Sequence, residues 1–208
     1  MANANVAFGL RPLRRTTGEP YNGGGNIYYV PAANATALYL GDPVQILSGS
    51  ADGNGIPAVR IITQGNGTDS GISTYGLIGS VVSTVIGGEP PIPVLQSNTP
   101  YLPASTAGYI LVADDPDLLF EVQENGNMAG SGPAGSYTGP GKNVDLVSGT
   151  GSTVTSFSGW QLGSSSLSTS ALQMRVIRML EQADNALGTN AKWLCRINLH
   201  QLTNTTGV

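Results

Sequence analysis

The sequence predicts a mainly β protein, an antiparallel β-barrel or sandwich with an extended N-terminal arm and a long Gly/Ser-rich excursion. Three observations carry that expectation. From Ile27 onward, short β-rich runs alternate with Gly, Pro, Asp and Asn punctuation, as antiparallel sheet requires. Apolar residues make up 40% of the chain and come in discrete runs, which sets it apart from a disordered polar sequence. No repeat of fixed period appears, and no stretch approaches the roughly 18 apolar residues of a membrane span.

Residues 1–26 read as an extended arm, because Pro12 and Pro20 interrupt any helix and Gly23, Gly24 and Gly25 form a joint. Phe8 and Leu10 lie exposed in such an arm unless they dock on a partner. Residues 27–208 read as one β-rich domain. Its first runs are Ile27–Val30, Ala37–Leu40 and Val44–Leu47, with Gly41-Asp42-Pro43 as a turn. Ala58–Thr63 and Tyr75–Ile86 follow, the second interrupted by Gly76 and Gly79, where a bulge or barrel corner is expected.

The strongest hairpin signal is Tyr109–Ala113, the turn Asp114-Asp115-Pro116-Asp117, and Leu118–Gln123. In the second strand Leu118, Phe120 and Val122 alternate with Leu119, Glu121 and Gln123, which predicts a half-buried strand. Residues 127–171 are poor in apolar residues and read either as an excursion across the body or a neighbouring subunit, or as a low-complexity linker. Leu172–Leu180 fits a helix with Leu172, Val176, Met179 and Leu180 on one face, or a strand paired with Lys192–Leu199. A C-terminal strand pair is the simpler reading.

Charge is sparse and unevenly placed. Charged residues form 11% of the chain, against roughly 25% in ordinary domains. Seven of the nine basic residues lie at the two ends: Arg11, Arg14 and Arg15, then Arg175, Arg178, Lys192 and Arg196. Residues 16–174 hold only Arg60 and Lys142 against eleven acids. Cationic ends on an acidic body suggest docking onto an acidic or polar surface. The N-terminal cations, on a segment with no expected fold of its own, are the binding candidates; the C-terminal ones are expected within strands, balancing the acidic body or joining subunits. An acidic pI without basic and aromatic interleaving argues against nucleic acid. A single Cys195 allows no intramolecular disulfide, and the N-terminus has no apolar signal segment, so synthesis in a reducing compartment without export is expected.

Catalytic signatures are weak. His200 and Cys195 stand five apart on one expected strand and leave opposite faces. Gly130 to Gly135 spells G-x-G-x-x-G without a flanking strand and helix, and Gly139-Pro140-Gly141-Lys142-Asn143 lacks the Ser/Thr of a phosphate loop. Asp114, Asp115 and Asp117 could ligate Ca²⁺ but are also good turn formers. Trp160 and Trp193 read as core or subunit-interface anchors. No enzyme, cofactor, metal or membrane role is expected.

The segments MANANVAFGLRP (1–12), ALYLGDPV (37–44), PYLPASTAGYILVADDPDLLFEVQENG (100–126) and AKWLCRINLHQ (191–201) resemble the small capsid decoration, or cement, proteins of tailed double-stranded DNA bacteriophages. The resemblance implies a β-rich structural protein, made in the host cytoplasm. It would bind the outer surface of the expanded capsid as a homotrimer more readily than a homodimer, with the major capsid protein as partner. It assigns no individual residues. On the physical reading, Phe8 and Leu10 would anchor the arm while Arg11, Arg14 and Arg15 meet acidic groups. Alternatives are a tail-associated or receptor-binding β-protein, or a carbohydrate-binding module.

Overall fold

The computed structural model describes residues 3–68, 72–86, 100–128 and 138–203. The protein is nearly all β, with antiparallel sheets and a closed five-stranded barrel. The strands are β1 (Arg11–Arg15), β2 (Asn26–Val30), β3 (Pro43–Ala51), β4 (Pro57–Ile61), β5 (Gly79–Ile86), β6 (Gly108–Ala113), β7 (Leu118–Gln123), β8 (Asn143–Val144), β9 (Leu146–Val147), β10 (Gln161–Leu162), β11 (Met174–Met179) and β12 (Lys192–Ile197). One short helix, α1 (Ile72–Tyr75), precedes β5.

The barrel closes in the order β2-β4-β3-β5-β6. Period-two alternation fills it: Tyr28 and Val30 of β2, Val44 of β3, Val59 of β4, Val81 of β5, and Ile110 and Val112 of β6 form one apolar cluster. One parallel pairing, Tyr29 with Ala58, makes the seam; every other barrel pair is antiparallel. The register of β5 shifts between Val81 and Ser83, at neither of its nearby glycines. Gly79 serves a different purpose, because a Cβ there would lie 2.0 Å from the Ala113 carbonyl oxygen. Gly79→Ala is expected to cost roughly 3 kcal/mol, the upper end of ordinary overpacking. A denaturation midpoint equal to that of the parent chain would show that β5 and β6 do not approach so closely.

The second layer is a five-stranded sheet, β1-β7-β12-β11-β8. One face carries Phe120, Val122, Val144, Met174, Val176, Trp193, Cys195 and Ile197 into the main core, which Leu10, Leu77, Leu146, Trp160 and Leu162 complete. The C-terminal strand pair is present, with a register shift between Val176 and Arg178. That shift places Arg178 opposite Leu194 and explains its departure from the buried alternation of Met174 and Val176.

Several sequence expectations are corrected. Residues 11–15 of the supposed arm form β1 and pair with β7, from Arg11 opposite Glu121 to Arg15 opposite Leu118. Phe8 and Leu10 are 7% and 0% exposed, so they anchor the N-terminus to this chain's own body. Trp160 and Trp193 are 4% and 1% exposed, which excludes them from a surface between subunits of this fold. Ala37–Leu40 forms no strand; Leu38 and Leu40 make single bridges to Leu102 and Phe157.

The 109–123 segment is not a hairpin. β6 belongs to the barrel and β7 to the sheet, and the turn between them crosses layers. Asp114 is held on the barrel side by Asn26 Nδ2 and by the Tyr28 hydroxyl, which donates at 2.7 Å. Asp115 is held on the sheet side by Arg15, at 2.7 Å. The adjacent carboxylates thus clamp a corner. β7 is an interior strand between β1 and β12, and it is buried on both faces because the core covers one and the N-terminal chain reaches the other, where Val6 and Ala4 bond Gln123. The G-x-G-x-x-G run at 130–135 lies outside the described residues, as do residues 129–137 of the excursion. From 138 to 171 the chain packs into the body, burying Val144, Leu146, Trp160 and Leu162.

Candidate functional site

Pairing register determines which side chains share a face. Arg14 of β1 lies opposite Leu119 of β7, Leu119 opposite Arg196 of β12, Arg196 opposite Arg175 of β11, and Arg175 opposite Asn143 of β8. Directly opposed residues project to the same side of a sheet. Arg11 joins this side opposite Glu121, Arg178 joins it opposite Leu194, and Lys192 opposite Gln123. Six of the nine basic residues, drawn from both ends of the chain, therefore occupy the sheet face turned away from the main core. Beneath them Leu119, Leu180 and Leu194 form a small buried cluster, over which long Arg and Lys stems can lie.

Three of these cations have carboxylate partners. Arg11 pairs with Glu121 at 3.2 Å and stacks over the Phe8 ring, 4.4 Å from its centroid. Arg178 pairs with Glu181, and Lys192 with Asp184 at 2.5 Å; the Lys192 ammonium holds the Asp184 carboxyl below its usual range. Arg175 Nε donates to Asn143 Oδ1 at 3.0 Å. Among the described residues, Arg14, Arg175 and Arg196 have no carboxylate partner. A hollow of about 380 Å³ opens at the Lys192 end, lined by Val6, Phe8, Arg11, Gln123, Asp184 and Lys192.

Of the residues expected to bind a partner, Arg11 and Arg14 lie on this face, whereas Arg15 is engaged with Asp115 and Glu19 at the layer-crossing corner. Phe8 and Leu10 lie under the surface. Arg175, Arg178, Lys192 and Arg196 are the residues that sequence reasoning set apart from binding. Their signal was present as charge crowded at both chain ends, but joining the two clusters needed the β1-β7-β12 pairing.

Other candidate chemistry is accounted for by packing. A cleft of about 740 Å³ beside the corner is lined by Arg15, Glu19, Tyr21, Asn26, Asp114 and Asp115. Its Asp114 and Asp115 already accept from the protein. No group of three or more His, Cys, Asp or Glu among the described residues is arranged to hold a metal. His200 is 3% exposed; burial lowers its pKa, and its Nδ1 accepts from the Leu202 amide. Cys195 is fully buried, and burial pushes its thiol up, away from the reactive thiolate. No helix among the described residues is long and apolar enough to cross a membrane. No protein-family model, curated protein or solved structure matches the chain.

Proposed function

We propose that this protein is a non-enzymatic structural component of a phage virion, binding the outer surface of the capsid through its cationic sheet face and stabilising the expanded shell against internal DNA pressure. The observation that carries the reading is the concentration of six cations on one face of a chain whose net charge is -4. Such a distribution favours one-sided electrostatic docking on an acidic surface. The β-segments that resemble capsid decoration proteins supply the partner, the major capsid protein, and a homotrimer as the binding form.

The test mixes purified protein with expanded shells lacking it and with unexpanded precursor shells. Saturable binding to the expanded form, weakened by salt, and a higher rupture temperature of the decorated shell are expected. Absence of binding to both shells, or binding without any gain in shell stability, would refute the proposal. The carbohydrate-binding alternative has one observation in its favour: Tyr39 and Tyr101 stack with centroids 5.1 Å apart beside a hollow of about 300 Å³. Tyr39 is, however, already packed against Gly151. Saturable oligosaccharide binding by the free protein would favour that alternative.

A further inference from the structure

We infer that Arg14, Arg196 and Arg175 form an oxyanion-binding row that takes the side-chain carboxylates of an extended acidic segment of a protein partner. The inference rests on the docking role of the cationic face and names the chemistry that face recognises.

The row runs across three neighbouring strand pairings. Arg196 and Arg175 are directly opposed on β12 and β11, and both are exposed. Directly opposed side chains have Cβ atoms roughly 4.5–5.5 Å apart, and like charges in that position destabilise a sheet. Among the described residues, the hydrogen-bond partner of this pair is Asn143, a neutral amide that accepts from Arg175. An anion seated between the two guanidinium groups would turn the repulsion into two charge-assisted hydrogen bonds. Arg14 stands on the other side of Leu119, which is only 5% exposed. Among the described residues the other three cations of the face each have a carboxylate beside them, Glu121, Glu181 and Asp184, which leaves Arg14, Arg175 and Arg196 as the three without one.

The spacing suits an extended peptide. Strands lie about 4.8 Å apart, so Arg14 stands about 10 Å from Arg196 and about 14 Å from Arg175, and the midpoint of the Arg196–Arg175 pair lies about 12 Å from Arg14. An extended segment with acids at alternate positions presents a carboxylate every ~6.7 Å on one side, so the first and third, about 13 Å apart, reach Arg14 and the Arg196–Arg175 pair. The environment disfavours nucleic acid. Among the described residues the face offers no exposed aromatic ring for a base to stack on.

The experiment uses the full chain and a fluorescein-labelled ten-residue peptide of alternating Glu and Ser, followed by anisotropy. Labelled single-stranded and duplex DNA twelve-mers form the competing arm. Saturable peptide binding that weakens with salt is expected, with affinity reduced tenfold or more in the Arg175→Gln/Arg196→Gln double variant and unchanged in Arg60→Gln on the barrel. The double variant should melt no lower than the parent, because it removes a like-charge pair. Equal peptide affinity in parent and double variant, no peptide binding at all, or tighter binding of DNA than of peptide would each overturn the inference. Expanded shells separate this outcome from the broader reading. Peptide binding through the row by a protein that ignores shells sustains the row and removes the capsid, whereas undiminished shell binding by the double variant sustains the capsid and removes the row.

Discussion

A chain lacking residues 2–15 is expected to lose its cooperative thermal transition, or to melt far below the full-length protein. The first reason is burial: Phe8 and Leu10 are almost wholly covered, and fully burying such side chains is worth about 1.5–3 kcal/mol each. The second is the sheet. Removing β1 turns β7 into an edge and strips the partner from Glu121, a carboxylate only 3% exposed whose charge Arg11 balances. Leaving a buried group without its hydrogen-bond partner costs about 1–3 kcal/mol. Gln123, 1% exposed, also loses Ala4, whose carbonyl it donates to, and Val6, whose amide it accepts. These losses are comparable with the whole stability of a typical domain, about 5–15 kcal/mol. Circular dichroism melting is the measurement. A truncated chain melting within a few degrees of the parent would mean that β1 is an accessory, and would return the segment to the role of a detachable arm. Loss of shell binding by this truncation is therefore uninformative about docking; point substitutions on the exposed face are required.

Stability is expected to fall as pH rises through 7, and Glu124 is the main cause. This carboxyl has no exposed surface; its Oε2 accepts from the Met128 amide at the end of β7, and it sits against Trp193 in the main core. Burial pushes it up to about 7, against the opposing effect of those donors. A carboxyl raised from about 4.5 in the unfolded chain contributes its full stabilisation below pH 4.5 and loses it as pH climbs through 7. The loss is on the order of 3 kcal/mol, at about 1.4 kcal/mol for each pH unit between the two values. For a chain of this length that is a fall in Tm of roughly 6–12 °C between pH 4.5 and 8.5. Asp42, 2% exposed and pushed up by burial to about 6, adds in the same direction. Glu124→Gln should flatten most of the slope, whatever its effect on absolute stability. Parallel Tm–pH curves for variant and parent would show that Glu124 does not carry the dependence.

These two expectations bear on docking in different ways. The deletion concerns the scaffold that brings Arg11 and Arg14 beside the C-terminal cations. The titration concerns the turn that follows β7, well inside the molecule. The cationic face carries neither Glu124 nor Asp42. Docking is therefore expected to respond to salt more strongly than to pH between 5 and 8.

The sequence by itself determined the fold class and most of the strands. Alternation over Ile27–Val30, Val44–Leu47, Ala58–Thr63 and Lys192–Leu199 is a local property, legible because each strand must turn one row of side chains to a core. It also determined that positive charge gathers at the two ends. Tertiary structure alone decided what pairs with what. The Asp114–Asp117 turn looks like a hairpin connection because turn chemistry is the same whether the next strand folds back or leaves for another layer. Only the clamps from Tyr28 and Arg15 reveal which. The burial of Leu119, Glu121 and Gln123 was equally hidden, because it comes from the interior position of β7 and, for Gln123, from chain more than a hundred residues away. The functional consequence lies in the same place: two cationic segments some 160 residues apart become one surface because β7 pairs with β1 on one side and β12 on the other, and pairing at that separation leaves no trace in local composition.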